Sequence, residues 1–194
     1  MPHITRQSLM SLEQYHLARP AYRTQVIEHK KKRTLHLGPN ITLLFEDEMT
    51  IRYQVQEMLR IEKVFEEEGI QDELGAYNPL IPDGRNWKAT MLIEYTDVKE
   101  RATMLAKLHG VEKQVFMQVS GHEPVHPFAD EDLDRESEEK TSAVHFLRFE
   151  LTDEMVASLK QGASIEAGVR HSEYSASVSP VPESMRTSLI ADLA

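Results

Sequence analysis

The sequence predicts one α+β domain over residues 1–194, in which N-terminal helices precede a mixed, mainly antiparallel sheet of about six strands packed by helices. Three observations predict this class. Apolar residues recur at helical spacing in several segments, and short apolar or alternating runs lie between those segments. Some of these runs are joined by tight turns, which favours antiparallel pairing over repeated strand–helix–strand units.

The order of the elements divides the chain into a helical segment over 1–32, a sheet-and-helix core over 33–170 and a C-terminal helix over 180–194. The 194 residues, 40% hydrophobic and 28% charged, suit one globular core. No apolar run reaches the roughly 18 residues of a membrane span, and the N-terminus lacks the apolar centre of a signal peptide. We therefore expect a cytoplasmic protein with no membrane partner.

Charge and cysteine content exclude several function classes. The net charge of −10 would repel a phosphate backbone, so nucleic acid is not an expected partner. The basic run His29–Arg33 has no interleaved aromatic residues, and we interpret it as a basic helix end or a solvated face. Because the chain has no cysteine, disulfides and thiolate chemistry are excluded, and any metal site must use His, Asp or Glu.

Caps and turns delimit the elements of the first third of the chain. Thr5 is predicted to cap a helix through Leu17, and Pro20 to open a second helix to about Lys32. The stretch "RTLHLGPNITLLFED" has the pattern of two short strands around a Gly-Pro-Asn turn.

The longest helix is predicted from about Glu48 to Glu68, with Asp47 as its cap and Gly69 as its end. Its apolar residues recur at helical spacing and predict one buried stripe: Ile51, Val55, Met58, Ile61 and Phe65. The glutamates at 66–68 would fall in the last turn, where the helix dipole disfavours them. The sequence offers no physical reason for that placement.

The second half of the chain alternates strands with helices. The stretch "AYNPLIPDGRNWK" is predicted to be a loop, whereas "ATMLIEY", "KQVFMQVS", "AVHFLRFEL" and "SIEAGVR" are predicted strands. Helices are predicted to follow Asp97, Thr152 and Pro182, and glycines end the first two.

The stretch "HEPVH" matches the H-E-x-x-H motif of zinc peptidases, in which a regular helix aims two histidines at one metal. Here Pro124 lies between His122 and His126, and Pro127 follows, so the required helix is disfavoured. We reject the peptidase reading and predict that the two histidines do not lie on one helix. Exposed loop histidines are favoured over a loop metal site.

The next residues resemble the opening of a calcium-binding loop, since Asp130, Asp132 and Asp134 alternate. The sixth position of such a loop requires glycine and the twelfth a bidentate glutamate, but Arg135 and Thr141 stand there. This calcium motif is rejected.

Three further residues each have a structural and a functional reading. Trp87 is the only tryptophan, and it is either a lid over the core or the wall of a pocket. His145 alternates with apolar neighbours in its strand, so it is either a satisfied core residue or a ligand. Arg148 faces the other way, beside Glu150, and either pairs with a carboxylate or lines a pocket.

Three blocks of the chain resemble a bacterial family catalogued only as a domain of unknown function: "FEDEMTIRYQVQEMLRIEKVF", "YNPLIPDGRNWKATMLIEY" and "ADEDLDRESEEKTSAVHFLRFEL". The resemblance covers nearly the whole chain and does not include "HEPVH". In this family the genes tend to lie beside those for rubrerythrin-like proteins and an iron–sulfur oxidoreductase subunit. The resemblance therefore implies a redox or oxidative-stress system, with such proteins as candidate partners.

The residues that the family's blocks share are mostly polar or aromatic. They are Tyr53, Gln54, Glu57, Trp87, Lys88, Lys140, Thr141, Ser142, His145 and Arg148. From these and Arg52 we predict a ligand-binding site made of Arg52, Tyr53, Glu57, Trp87, Lys88, His145 and Arg148, with Trp87 and His145 on or under one pocket. We assign no metal ligand and no cofactor.

Two functions from different classes follow. The leading hypothesis is a non-catalytic accessory protein that binds a protein partner or a small anionic ligand, with the three basic site residues supplying positive charge. The alternative is a metal-dependent enzyme in which Glu57 and His145 are candidate ligands for iron, manganese or zinc. Elemental analysis of the purified protein distinguishes the two.

Overall fold

The computed structural model describes residues 3–131 and 140–194, which form one α+β domain. The helices in this part are α1 (Leu12–Lys31), α2 (Glu48–Glu62), α3 (Glu67–Tyr77), α4 (Val98–Lys107), α5 (Asp153–Lys160) and α6 (Glu183–Ile190). The strands are β1 (Thr34–Leu37), β2 (Ile41–Phe45), β3 (Asn86–Ile93), β4 (Val115–Val119), β5 (Phe128–Ala129), β6 (Val144–Glu150), β7 (Ile165–His171) and β8 (Tyr174–Val178). None of these helices is long and apolar enough to cross a lipid bilayer.

The strands form two sheets, of five strands in the order β1-β2-β3-β6-β5 and of three strands in the order β4-β7-β8. All the strand pairs of the described residues are antiparallel. The predicted α+β class is thus confirmed, and the described residues form eight strands in two sheets in place of about six strands in one sheet. The two unpredicted strands are β5, which has two residues, and β8, whose "YSASV" is too rich in small residues to give a strong apolar pattern.

The N-terminal helices differ from the prediction. A single helix, α1, begins after Ser11, whose hydroxyl accepts a hydrogen bond from the backbone of Gln14 at 3.2 Å, and it runs through Pro20. The proline lies on the exposed side of the helix, where water can hydrogen-bond the carbonyl that loses its partner. Burial of Tyr15 and Val26 on the other side holds the two halves of α1 in one line.

The predicted long helix is two helices. Asp47 caps α2 as predicted, accepting from the Thr50 backbone at 3.0 Å, but α2 ends at Lys63, which adopts a left-handed conformation with φ of 55°. A new helix, α3, then begins at Glu67 and contains Gly69. Glutamates 67 and 68 lie in its first turn, where the helix dipole stabilises acidic residues, so the break explains their placement.

The core has two parts. The larger cluster of buried side chains joins both sheets to α4, α5 and α6, and the smaller joins the N-terminal segment to α2 and α3. Between β2 and α2 the chain passes from one cluster to the other. The predicted loop before β3 includes the end of α3 and a short 3-10 turn at Asn78–Leu80, and Trp87 and Lys88 belong to β3 itself.

Arg33 joins the start of the sheet to the C-terminal helix. Its side chain is 1% exposed and donates to the carbonyl oxygens of Phe45 and Glu46, to Ser188 and to the carboxylate of Asp192, the last at 2.5 Å. The basic run His29–Arg33 is therefore a helix end, as interpreted, except that its last residue is a buried anchor. Burial raises the pKa of Asp192 to about 6, although the nearby guanidinium opposes the shift.

Candidate functional site

The register between β3 and β6 decides which side chains share a face of the five-stranded sheet. Lys88 lies opposite Arg148, whereas Met91 lies opposite His145. Directly opposed residues on antiparallel strands point to the same side of the sheet, and adjacent residues point to opposite sides. Lys88 and Arg148 therefore lie on the outer face, and Trp87 and His145 lie on the inner face, toward the core.

A cavity of about 480 Å³ opens on the outer face, between the sheet and the turn at Asn78–Leu80. Apolar walls come from Pro79, Leu80 and Phe146. Its charged side chains are Glu46, Lys88, Glu131 and Arg148. A mostly apolar concave site with a few convergent polar groups is the usual form of a small-molecule site.

Within the described part of the chain, Lys88 is the cation of this cavity that lacks a carboxylate partner. Its Nζ donates to the carbonyl oxygen of Pro79 at 2.6 Å, and no carboxylate of the described residues lies within ion-pair distance. Burial lowers the pKa of Lys88, because the ammonium has lost part of its hydration. The other two hydrogens of the ammonium have no acceptor among residues 3–131 and 140–194.

Arg148 is in the opposite situation, because two carboxylates already occupy its guanidinium. Nε and Nη2 donate to the two oxygens of Glu131 at 2.8 and 2.7 Å, and Nη1 donates to Glu150 at 2.5 Å. These hydrogen bonds raise the pKa of Arg148, and those to Glu131 contribute most. The guanidinium also lies 4.4 Å from the centre of the Phe128 ring. Arg148 thus pairs with Glu150, the carboxylate nearest to it in the sequence pattern, and also lines the cavity.

Glu46 is a cavity residue that the sequence analysis missed. Its side chain is buried, and its two oxygens accept hydrogen bonds from the hydroxyls of Thr90 at 2.6 Å and Thr50 at 2.5 Å. An acidic residue directly between an apolar strand and the cap of a helix was the available signal. Because both oxygens already have donors, this carboxylate is less open to a ligand than Lys88.

Trp87 and His145 lie on the same face of the sheet, but both are fully buried and neither lines the cavity. The Trp87 indole donates to the carbonyl oxygen of Leu189 at 2.9 Å. His145 contacts Asp130 through Nδ1 at 2.6 Å and Thr141 and the Ser142 carbonyl through Nε2 at 3.0 Å. Their partners fit the structural reading of each residue: a tryptophan packed in the core and a satisfied core histidine.

The three site candidates on α2 also lie away from the cavity. Arg52 donates to the backbone carbonyl of Ser8 at 2.7 Å and pairs with Glu48. The Tyr53 ring packs edge-on against Tyr22, with centroids 6.0 Å apart. These contacts attach α2 to the N-terminal segment and to α1.

Glu57 forms the strongest of these attachments. It accepts hydrogen bonds from Arg19 at 2.7 and 2.9 Å, from the Tyr15 hydroxyl at 2.7 Å and from Arg60 at 3.2 Å. The hydrogen bonds from Arg19 contribute most to lowering the pKa of Glu57, to about 2. A carboxylate with this set of donors is an anchor between α1 and α2.

The histidines of "HEPVH" lie outside any helix, as predicted: residues 121–127 form a turn and an extended stretch with one isolated β-bridge. His122 contacts the Ser158 hydroxyl at 2.8 Å, and His126 contacts the carbonyl oxygen of Val115 at 2.9 Å. In residues 3–131 and 140–194, no three His, Asp or Glu side chains form a group that could hold a metal. Asp132 and Asp134 of the rejected calcium motif lie outside the described residues.

A family model described as "Protein of unknown function (DUF3501)" matches residues 3–193. The chain belongs to the DUF3501 family. A crystal structure of a protein from Burkholderia pseudomallei K96243, described as a novel protein of unknown function, is 50% identical over 100% of both chains, with a TM-score of 0.95. A comparison with curated proteins finds no match. The resemblance noted in the sequence is thus confirmed, and the DUF3501 fold is shared over its full length with this Burkholderia protein.

Proposed function

We propose that this DUF3501 protein is a non-catalytic binding protein whose outer-face cavity holds a small anionic ligand at Lys88. The observation that carries the proposal is the half-buried ammonium of Lys88, which lies beside apolar walls and has no carboxylate partner among the described residues. Removing an ammonium from water costs free energy unless an acceptor replaces the lost hydration. A ligand carboxylate at Nζ would supply both a counter-charge and hydrogen-bond acceptors.

The other charged residues of the cavity are each held by partners within the chain. Glu131 accepts two hydrogen bonds from Arg148, so both of its oxygens already have a donor. The oxygens of Glu46 already accept hydrogen bonds from two threonines. Lys88 is therefore the cation of the cavity without a carboxylate partner among the described residues, and it favours an acceptor.

The test compares Lys88→Met with Lys99→Met, a matched change at an exposed lysine of α4. Benzoate binding is measured by isothermal titration calorimetry, with benzyl alcohol as the uncharged counterpart. We expect wild type and Lys99→Met to bind benzoate and Lys88→Met to lose at least about tenfold in affinity, with its thermal unfolding unimpaired. Equal benzoate binding by Lys88→Met, or no binding by wild type, would overturn the proposal.

A rubrerythrin-like or iron–sulfur redox protein as partner stays a prediction of the resemblance. Co-purification with the tagged protein from its own host, followed by mass spectrometry, tests it. The metal-enzyme alternative uses Glu57 and His145, which have no hydrogen-bond partner in common. Stoichiometric iron, manganese or zinc in the purified protein would favour that alternative.

A further inference from the structure

An apolar strip continues from the cavity along the outer face of the five-stranded sheet. The register places Leu44, Thr90 and Phe146 in one row across β2, β3 and β6, and Thr42, Leu92 and Val144 in the next. Leu44, Leu92 and Phe146 are partly exposed, and Val144 is 37% exposed. The strip starts at Phe146, which also lines the cavity, and leads away from Lys88.

Four outward positions of this face are apolar: Leu44, Leu92, Val144 and Phe146. Outward positions on an antiparallel sheet with one solvated face are normally polar. Here four apolar side chains lie in two adjacent rows of three strands, with Thr90 and Thr42 as the third member of each row, and an apolar cluster on a surface can mark a binding site. With a rise of about 3.4 Å per residue, the distance along β3 from Lys88 to Leu92 is about 14 Å.

The two ends of the strip differ in charge, with a cation at one end and a carboxylate at the other. Lys88 stands at the cavity end. At the far end Thr42 donates to the carboxylate of Glu94 at 2.6 Å and contacts His36 at 3.0 Å. An acidic residue at that end disfavours a second anionic group, so the face suits a molecule with one anionic head and an apolar body.

We infer that the ligand is an amphipathic monocarboxylate, with its carboxylate at Lys88 and an extended apolar chain along Phe146, Leu92 and Val144. This inference rests on the proposed function, because Lys88 supplies the head-group site. It adds the requirement that affinity depends on the chain as well as on the charge. For a chain that loses its hydration on the strip, each added methylene raises affinity roughly two- to fourfold.

The experiment measures calorimetric affinities for butyrate, hexanoate, octanoate and decanoate, with decanol as the uncharged control. The variants are Lys88→Met for the head group and Val144→Glu for the far part of the strip. Val98→Glu is the matched control for the second variant, since Val98 is an exposed valine on α4. Both valines are exposed, so neither change should prevent folding.

We expect affinity to rise with chain length in wild type and in Val98→Glu. We also expect Val144→Glu to remove the gain from octanoate to decanoate and Lys88→Met to weaken every acid. If butyrate binds as tightly as decanoate and depends on Lys88, the proposed function stands and the chain inference is overturned. If decanol equals decanoate and Lys88→Met changes nothing, both are overturned.

Size-exclusion chromatography distinguishes a different occupant of the strip. We expect the elution volume to be the same for wild type and Val144→Glu. A dimer that Val144→Glu converts to a monomer would mean that a second copy of the chain covers the strip, and the inference of an apolar ligand chain would be overturned.

Discussion

Lys88 and Arg148 lie opposite each other on β3 and β6, yet Arg148 pairs with two carboxylates while Lys88 donates to a backbone carbonyl. Two cations on one face thus have different roles. Arg148 binds Glu131 and Glu150, whereas Lys88 has no carboxylate partner among the described residues. The predictions below test these roles and the anchors that hold the fold around the cavity.

Replacing Arg148 with Met should cost little stability and should still weaken anion binding. The side chains of Arg148, Glu131 and Glu150 are 26%, 52% and 42% exposed, so the released carboxylates can rehydrate, and the expected loss is about 1 kcal/mol or less. Two uncompensated carboxylates near Lys88 would then repel benzoate. Thermal melts and calorimetry measure the two effects, and a loss near 4 kcal/mol would identify Arg148 as a structural anchor.

Replacing Arg33 with Met should be strongly destabilising, by about 3–5 kcal/mol, because it leaves the buried carboxylate of Asp192 without its cation. Urea unfolding at pH 7 measures the loss. Arg85→Met is the control, since Arg85 and its partner Asp153 are 66% and 74% exposed and their ion pair contributes less than about 1 kcal/mol. Similar losses for the two variants would contradict the anchor role.

Asp192 predicts a pH dependence of stability on the acidic side. Its pKa is raised in the folded protein from an ordinary value of 3.8 to about 6, so the folded state binds the proton more tightly than the unfolded chain. The stabilisation of the folded state by the tighter binding of this proton is complete below about pH 4, and it is lost as the pH rises through about 6. Urea unfolding between pH 4 and 7 should show that loss in wild type and a smaller one in Asp192→Asn.

Glu57 predicts the opposite dependence. Its pKa is lowered from an ordinary value of 4.5 to about 2, so the folded state favours the charged form. The stabilisation is present above about pH 4.5 and is lost as the pH falls through about 2. Glu57→Gln should lose roughly 1–3 kcal/mol at pH 7 and less at pH 2.

The control for this prediction is Glu62→Gln, an exposed glutamate of the same helix. It should change the free energy of unfolding by less than about 0.5 kcal/mol at both pH values. If Glu57→Gln is as mild as this control, the Glu57 cluster does not hold α1 to α2.

The sequence by itself determined the features that depend on local chemistry. The helix caps at Asp47, Asp97 and Thr152 are as predicted, because a side-chain acceptor there satisfies free backbone donors whatever lies nearby. Prolines alone exclude a helix across His122 and His126. Strand alternation alone placed Arg148 beside Glu150, because the two-residue period is a property of the extended backbone.

Only the tertiary structure decided what each face meets. Alternation separates Trp87 from Lys88 but does not say which side is covered, because covering elements come from distant parts of the chain. The carbonyl oxygen of Leu189 on α6 accepts a hydrogen bond from the Trp87 indole, and the carbonyl oxygen of Pro79 accepts one from the Lys88 ammonium. The candidate residues on α2 looked like site residues by type, yet their partners on α1 and in the N-terminal segment make them anchors. Pairing and burial across long sequence separations, which no local pattern encodes, thus decided which polar residues reach the cavity.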